Sequence, residues 1–281
     1  MRIFAAAAVL TVLGSLAACS TDPGTNAVDP SASDEPAAST GPAGAPTPVP
    51  EGEVRTQGLV MVLDDGDGPE LCLGPVAESY PPQCGGPALV DFDWGDVGSE
   101  QASGVRWGSY ALTGTYDGTT FTVTDAIPAA LYDVMAEPEP EPLAAACDDA
   151  TTTDTSRATP EDMDATLAAA SALPTYATAW LTGNTINVAV TGDPEAAEAE
   201  LRRTWGGMLC VTTVERTDAD LNEVNTELQG ALGDQLLTSG SFAPDSLDAQ
   251  VVFDDGSIQA WADETYGEGL VRISSALVPV S

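Results

Sequence analysis

Two stretches in the C-terminal half decide the fold: "VAVTGDPEAAEAELRRTWGGMLCVTTV", residues 188–214, and "VVFDDGSIQAWADETYGEGLVRISSAL", residues 251–277. Each begins with an apolar run of strand length. Each continues through an acidic, Asp- or Gly-bounded start into a helical spacing, then an aromatic residue followed by Gly, then a second apolar run. In the first, Asp193 is placed to cap, Pro194 to occupy the first helical position and Gly206 to stop the helix. Ala197, Leu201 and Trp205 share one face, and Glu198 stands one turn before Arg202. The aromatic–Gly pairs are Trp205-Gly206 and Tyr266-Gly267. The two rings are expected to pack where each helix turns back onto its sheet. Two strand–helix–strand units make a split βαβ, so residues 159–281 are expected to form an α+β ferredoxin-like domain. The amphipathic run 217–232, with Leu221, Val224, Leu228 and Leu232 in register, is then an insertion between the halves. Thr159-Pro160-Glu161-Asp162 predicts a helix start, with the helix running to about Ala172.

Working back along the chain, "EPEPEP" (137–142) and "DDATTTDTSRATPED" (148–162) mark an acidic, Pro-rich linker over 128–158. Before it, "GVRWGSYALTGTYDGTTFTVTDA" (104–126) reads as a hairpin: Asp117-Gly118 separates two β-rich runs, a pattern that favours a two-residue type I′ turn. Phe121 and Val123 alternate with threonines, and Tyr110 and Leu112 alternate on the partner strand. With a strand at 54–63, residues 53–127 are expected to form a small antiparallel β domain, a sheet or an OB-like barrel. The whole fold is therefore expected to be α+β, this β domain preceding the ferredoxin-like one. Residues 20–52, rich in Pro, Ala, Ser, Thr and acids, lack the large apolar side chains a core needs and are expected to be a disordered linker.

Charge and missing residue types narrow the chemistry. The chain carries 44 acidic residues against 8 basic ones and no His, a formal net charge of −36. All eight basic residues are Arg. Nucleic acid is excluded as a partner, because neutralising phosphates requires a patch of cations. Without His or Lys, this chain cannot build a Ser-His-Asp, Cys-His or Ser-Lys nucleophile, a Schiff base, a His-ligated zinc site or a Walker-type phosphate loop. Carboxylate chemistry remains open, and a glycan hydrolase needs only two suitably spaced carboxylates.

One acidic cluster stands out. "DDGDGPE" (64–70) sets Asp64, Asp65, Asp67 and Glu70 around two glycines. Calcium takes several oxygen ligands from such flexible loops, but the alternation of an EF-hand fails after Asp67. The favoured reading of the same residues is a solvated turn joining two strands.

Five cysteines occur, an odd number that needs explaining. Cys19 follows "MRIFAAAAVLTVLGSLAA": one Arg, an apolar run too short to span a membrane, then small residues, the order of a secretory signal. The "LAAC" ending, Leu16 to Cys19, resembles the lipobox of bacterial lipoproteins. That resemblance implies cleavage of a signal peptide at 1–18 and acylation of Cys19, which would hold the protein at the cell membrane, facing outward, through its lipid. An ordinary signal peptide cut nearby would instead leave a free thiol. Cys72, Cys84, Cys147 and Cys210 remain, and in an oxidising compartment they suggest two disulfides with three possible pairings. The short, Pro- and Gly-containing loop between Cys72 and Cys84 favours pairing these two, leaving Cys147 with Cys210. The segments "VLDDGDGPELCLGPVAESYPPQCGGPALVDFDW" (62–94) and "DDGSIQAWADETYGEGLVRISSALVPV" (254–280) are similar to parts of uncharacterised lipoproteins of high-GC Gram-positive bacteria, a resemblance that implies no activity. The functional expectation is a non-catalytic, membrane-anchored lipoprotein that binds an envelope protein or a cell-wall partner and holds no cofactor. A carboxylate-dependent cell-wall glycan hydrolase and a calcium-binding surface protein are the alternatives.

Overall fold

A computed structural model describes residues 44–95, 98–132, 143–148 and 150–280. The signal segment, Cys19 and residues 20–43 of the expected linker lie outside the described residues, as do 133–142 and 149. The fold is mixed α and β, with strand predominating.

The first sheet is built from β1 (Glu53–Thr56), β2 (Val60–Asp64), β3 (Glu70–Cys72), β4 (Ala88–Val90), β5 (Ser99–Ala102), β6 (Val105–Tyr116) and β7 (Thr120–Pro128). Five of them close on themselves in the order β6-β2-β3-β4-β7, because β7 also pairs with β6. Only β4 and β7 run parallel in this ring. Period-2 alternation sends Val62, Leu71, Leu89, Tyr110, Leu112 and Phe121 inward. The ring is tight enough to need glycine: a Cβ on Gly114 would strike the Thr122 carbonyl and the Phe121 ring. Outside it, the Cys72–Cys84 disulfide, with Cα atoms 5.7 Å apart, packs beside Leu63 and Trp107. The expected β6–β7 hairpin is present, but its turn is not type I′. Within 117–119 only Gly118 has a positive φ, and the Asp117 carboxylate accepts the N–H groups of Thr119 and Thr120.

The rest of the chain repeats one pattern twice. The first unit runs α1 (Pro160–Ser171), β8 (Tyr176–Thr182), β9 (Thr185–Val190), α2 (Pro194–Leu201), β10 (Leu209–Thr213). The second runs α3 (Asp218–Leu232), β11 (Leu236–Ala243), β12 (Ser246–Val251), α4 (Ser257–Tyr266), β13 (Val271–Ser275). Each forms its own three-stranded sheet, β10-β9-β8 and β11-β12-β13, with an antiparallel hairpin and a parallel third strand. This corrects the ferredoxin-like expectation. The two strand–helix–strand echoes do not interleave in one sheet, and α3 is no insertion: it is the counterpart of α1. The correspondence holds at single residues. Trp205 and Tyr266 stand 61 positions apart, as do Asp193, which caps α2, and Asp254, whose carboxylate accepts the Ile258 N–H near the start of α4. Glu198 pairs with Arg202, and Gln259 pairs with Asp263 at the same places in the second unit. Each unit encloses its own core, around Ile186, Val188 and Leu201 in one and Leu247, Ile258 and Val271 in the other.

Two further expectations change. The apolar run that closes the second stretch forms one strand and begins another: after β13 the chain passes Ala276, and β14 (Leu277–Pro279) pairs antiparallel with β1 in the first sheet. Leu277, Val252 and Phe253 accordingly join the barrel-side core. Residues 44–52, read as part of a disordered linker, pack onto the fold. Ala45 touches the second unit's core, and the Pro46 carbonyl accepts from Gln235.

Candidate functional site

The site is a corner of the first unit, where the N-terminus of α1, the tip of the β8–β9 hairpin and the loop after α2 meet. That loop is held by arginines. Arg202 ion-pairs with Glu198 and donates to the carbonyls of Gly207 (2.7 Å) and Thr151 (3.0 Å). Arg157 donates to the carbonyls of Arg202 and Arg203. The Gly206 N–H donates to the Arg157 carbonyl, and its own carbonyl accepts from Thr153 and Asp154. A Cβ on Gly206 would collide with the Asp154 carbonyl, so this crossing requires glycine. Trp205 turns inward, 6% exposed, and its indole N–H donates to the Met208 carbonyl. Across the corner, Thr159 caps α1 reciprocally with Asp162. The Thr159 hydroxyl and N–H hold the Asp162 carboxyl below its usual value. Ser156 and Arg157 do the same for Asp154.

These walls border an open cavity of about 590 Å³. Its apolar surface comes from Ala158, Pro160, Met163, Leu181, Trp205 and Met208, and its polar groups are Thr152, Thr155, Thr159 and Asn184. Among the described residues no charged side chain lines it. It offers hydroxyls and an amide, with no carboxylate to act as acid or base. A second cavity, of about 620 Å³, lies between the barrel and the start of β11; Asp234 is the one carboxylate in its lining.

The residues singled out from sequence fall elsewhere. Asp64, Asp65, Asp67 and Glu70 lie on the β2–β3 hairpin. The Asp64 carboxylate accepts the N–H groups of Gly66 (2.9 Å) and Gly68 (3.3 Å), and Asp65 accepts from Asp67. Glu70 belongs to β3, opposite Leu63. Among the described residues no group of three or more acidic or cysteine side chains is placed to share a metal ion. The four remaining cysteines are joined as Cys72–Cys84 and Cys147–Cys210. The second bridge straps residues 143–148 across the outer face of the first unit's sheet. There Ala146 N–H donates to Asn187, and the Trp180 indole donates to the Ala144 carbonyl. Sequence reading found Trp205 as a packing residue, which it is, and missed that the same ring walls a cavity. The other wall comes from the Thr-rich stretch before α1, which reads as linker by composition.

No protein-family model, curated protein or solved structure matches the chain. Function therefore has to be argued from the residues themselves.

Proposed function

We propose that this chain is a lipid-anchored extracytoplasmic protein whose folded part binds a partner and does not catalyse. The observation that carries the reading is the disposition of the cysteines. Four of the five are consumed in two disulfides, a state that persists in oxidising compartments. The one left over is Cys19, at the end of a lipobox-like stretch. Two acyl chains on that thiol make a stable anchor where one alone binds marginally. The membrane is then contacted through lipid, since a surface with this excess of acids is repelled by anionic headgroups. Closure of five strands in the first sheet supports an OB-like reading of the barrel, a platform that carries binding loops on many proteins.

Binding is favoured over glycan hydrolysis because, among the described residues, the cavity beside α1 is lined by no carboxylate and the cavity beside β11 by one, where that chemistry needs two. In the 64–70 loop, Asp64 and Asp65 each turn one carboxylate oxygen onto N–H groups of their own turn, which supports reading it as a self-satisfied hairpin turn.

The test is mass spectrometry of the membrane fraction. An acylated N-terminal Cys19 is expected, and Cys19→Ser should leave the protein unprocessed or release it from the membrane. A mature, unmodified N-terminus at another residue would overturn the anchor.

A further inference from the structure

The two α-β-β-α-β units differ at one corner. In the second unit, the hairpin tip between β11 and β12 carries Asp245, 61 positions after Asn184. Asp245 has φ 66°, and its two carboxylate oxygens accept the N–H groups of Glu215 and Arg216, both at 2.9 Å. Arg216 adds an ion pair to the same carboxylate. The hairpin tip is thereby tied to the loop preceding α3, and the corner is closed by the chain's own side chain. In the first unit, an amide, Asn184, stands at that place. The tip borders the cavity of about 590 Å³ beside the loop preceding α1.

We propose that this corner of the first unit is a binding site for a small, uncharged, largely apolar molecule. The inference deepens the binding role proposed above by naming the ligand's chemistry. Volume sets the size, since small-molecule sites span roughly 300–1,000 Å³. Charge sets the sign. The protein as a whole carries −36, a field that repels anions, while the lining has no acid to pair with a cation. A charged ligand would be desolvated here without a partner. The surface chemistry sets the polarity: Leu181 and Met208 stand 50% and 38% exposed at the mouth, Trp205 and Met163 form the floor, and threonine hydroxyls with the Asn184 amide can orient one or two polar groups. The site is preorganised, because Arg157 and Arg202 fix the loop that bears Trp205 and Met208.

The test uses the full chain carrying Cys19→Ser, so that its outcome does not depend on acylation, and N-phenyl-1-naphthylamine, a neutral apolar fluorophore, as the probe. Saturable fluorescence enhancement is expected. Leu181→Glu and Met208→Glu, both at exposed positions that tolerate a charge in the folded state, should each weaken binding by about tenfold or more. Phe242→Glu, the same change at the equivalent and more exposed position of the second unit (69% exposed), should leave binding unaltered. An absence of saturable binding, a titration indifferent to Leu181→Glu and Met208→Glu, or an equal loss in Phe242→Glu would each overturn the proposal.

Discussion

If the two units are equivalent in packing, their cores should be exchangeable at the point where they differ most simply. On α2, Ala197 and Leu201 face the sheet, one turn apart. On α4 the corresponding residues are Ile258 and Ala262. Large and small have traded places, and all four are nearly or fully buried, at 6%, 0%, 0% and 0% exposure. Leu201→Ala alone should cost about 2–5 kcal/mol, the transfer and cavity penalty of a fully buried Leu. Ala197→Ile alone should cost about 1–3 kcal/mol by overpacking. Independent sites would sum to roughly 3–8 kcal/mol, but residues in contact couple by about 0.5–3 kcal/mol. In the double variant the added Ile grows into the space the Leu vacates, so it should be more stable than Leu201→Ala. Recovery should stop short of complete, because Val188 stands where the second unit has Ala249. Urea unfolding of the four proteins, followed by far-UV circular dichroism, gives the cycle. A double variant whose loss equals the sum of the singles would refute the equivalence of the two cores.

The disulfides should differ in weight: in the chain-entropy picture, opening Cys147–Cys210 (separation 63) costs about 4 kcal/mol and opening Cys72–Cys84 (separation 12) about 3 kcal/mol. Paired Cys→Ser variants compared by denaturant midpoint test the order, and a larger loss at Cys72–Cys84 would contradict it. Acid should weaken the fold through its caps. Hydrogen bonds from Thr159 and Thr217 hold the carboxyls of Asp162 and Asp220 below their usual value. Carboxyls depressed in the folded state contribute stability that is complete above the unfolded value, near ~4, and lost as pH falls through the folded one. The double variant Thr159→Val/Thr217→Val should therefore lose less stability than the parent between pH 5.5 and pH 3; an equal loss would mean the caps do not titrate with folding.

Legibility followed the range of the interactions. Helix starts were readable because they are local: Thr159 with Asp162, and Thr217 with Asp220, satisfy each other within one turn. The echo was readable because aromatic–Gly pairs recur at the same join. The edge strands β8 and β11 were not, since "YATAWLT" and "LLTSGSFA" mix apolar and small polar residues without clean alternation, and their pairing is fixed by β9 and β12. The sheet count failed for the same reason: whether two strand–helix–strand units share one sheet depends on partners far away in sequence. The cavity was hidden because its walls come from three separated segments, one of them a Thr-rich stretch whose role is set by Arg157 and Arg202 rather than by its own propensity. The acidic loop misled in the other direction, as clustered carboxylates serve turn N–H groups as readily as they serve an ion.

The pairing of β14 with β1 has a consequence for how the molecule is made. A chain made from its N-terminus presents β1 long before Leu277 to Pro279. Until those residues arrive, one edge of β1 has no strand beside it, and the apolar place that Leu277 fills stays vacant. An open strand edge invites pairing with other chains, and such exposure is longest where the closing contacts are far apart in sequence. Closure of this sheet thus waits for Leu277–Pro279, and a chain interrupted just before them would retain every helix among the described residues and both disulfides yet leave its first sheet without its outermost strand. Truncation there would be read by the cell as an adhesive surface more than as a missing function.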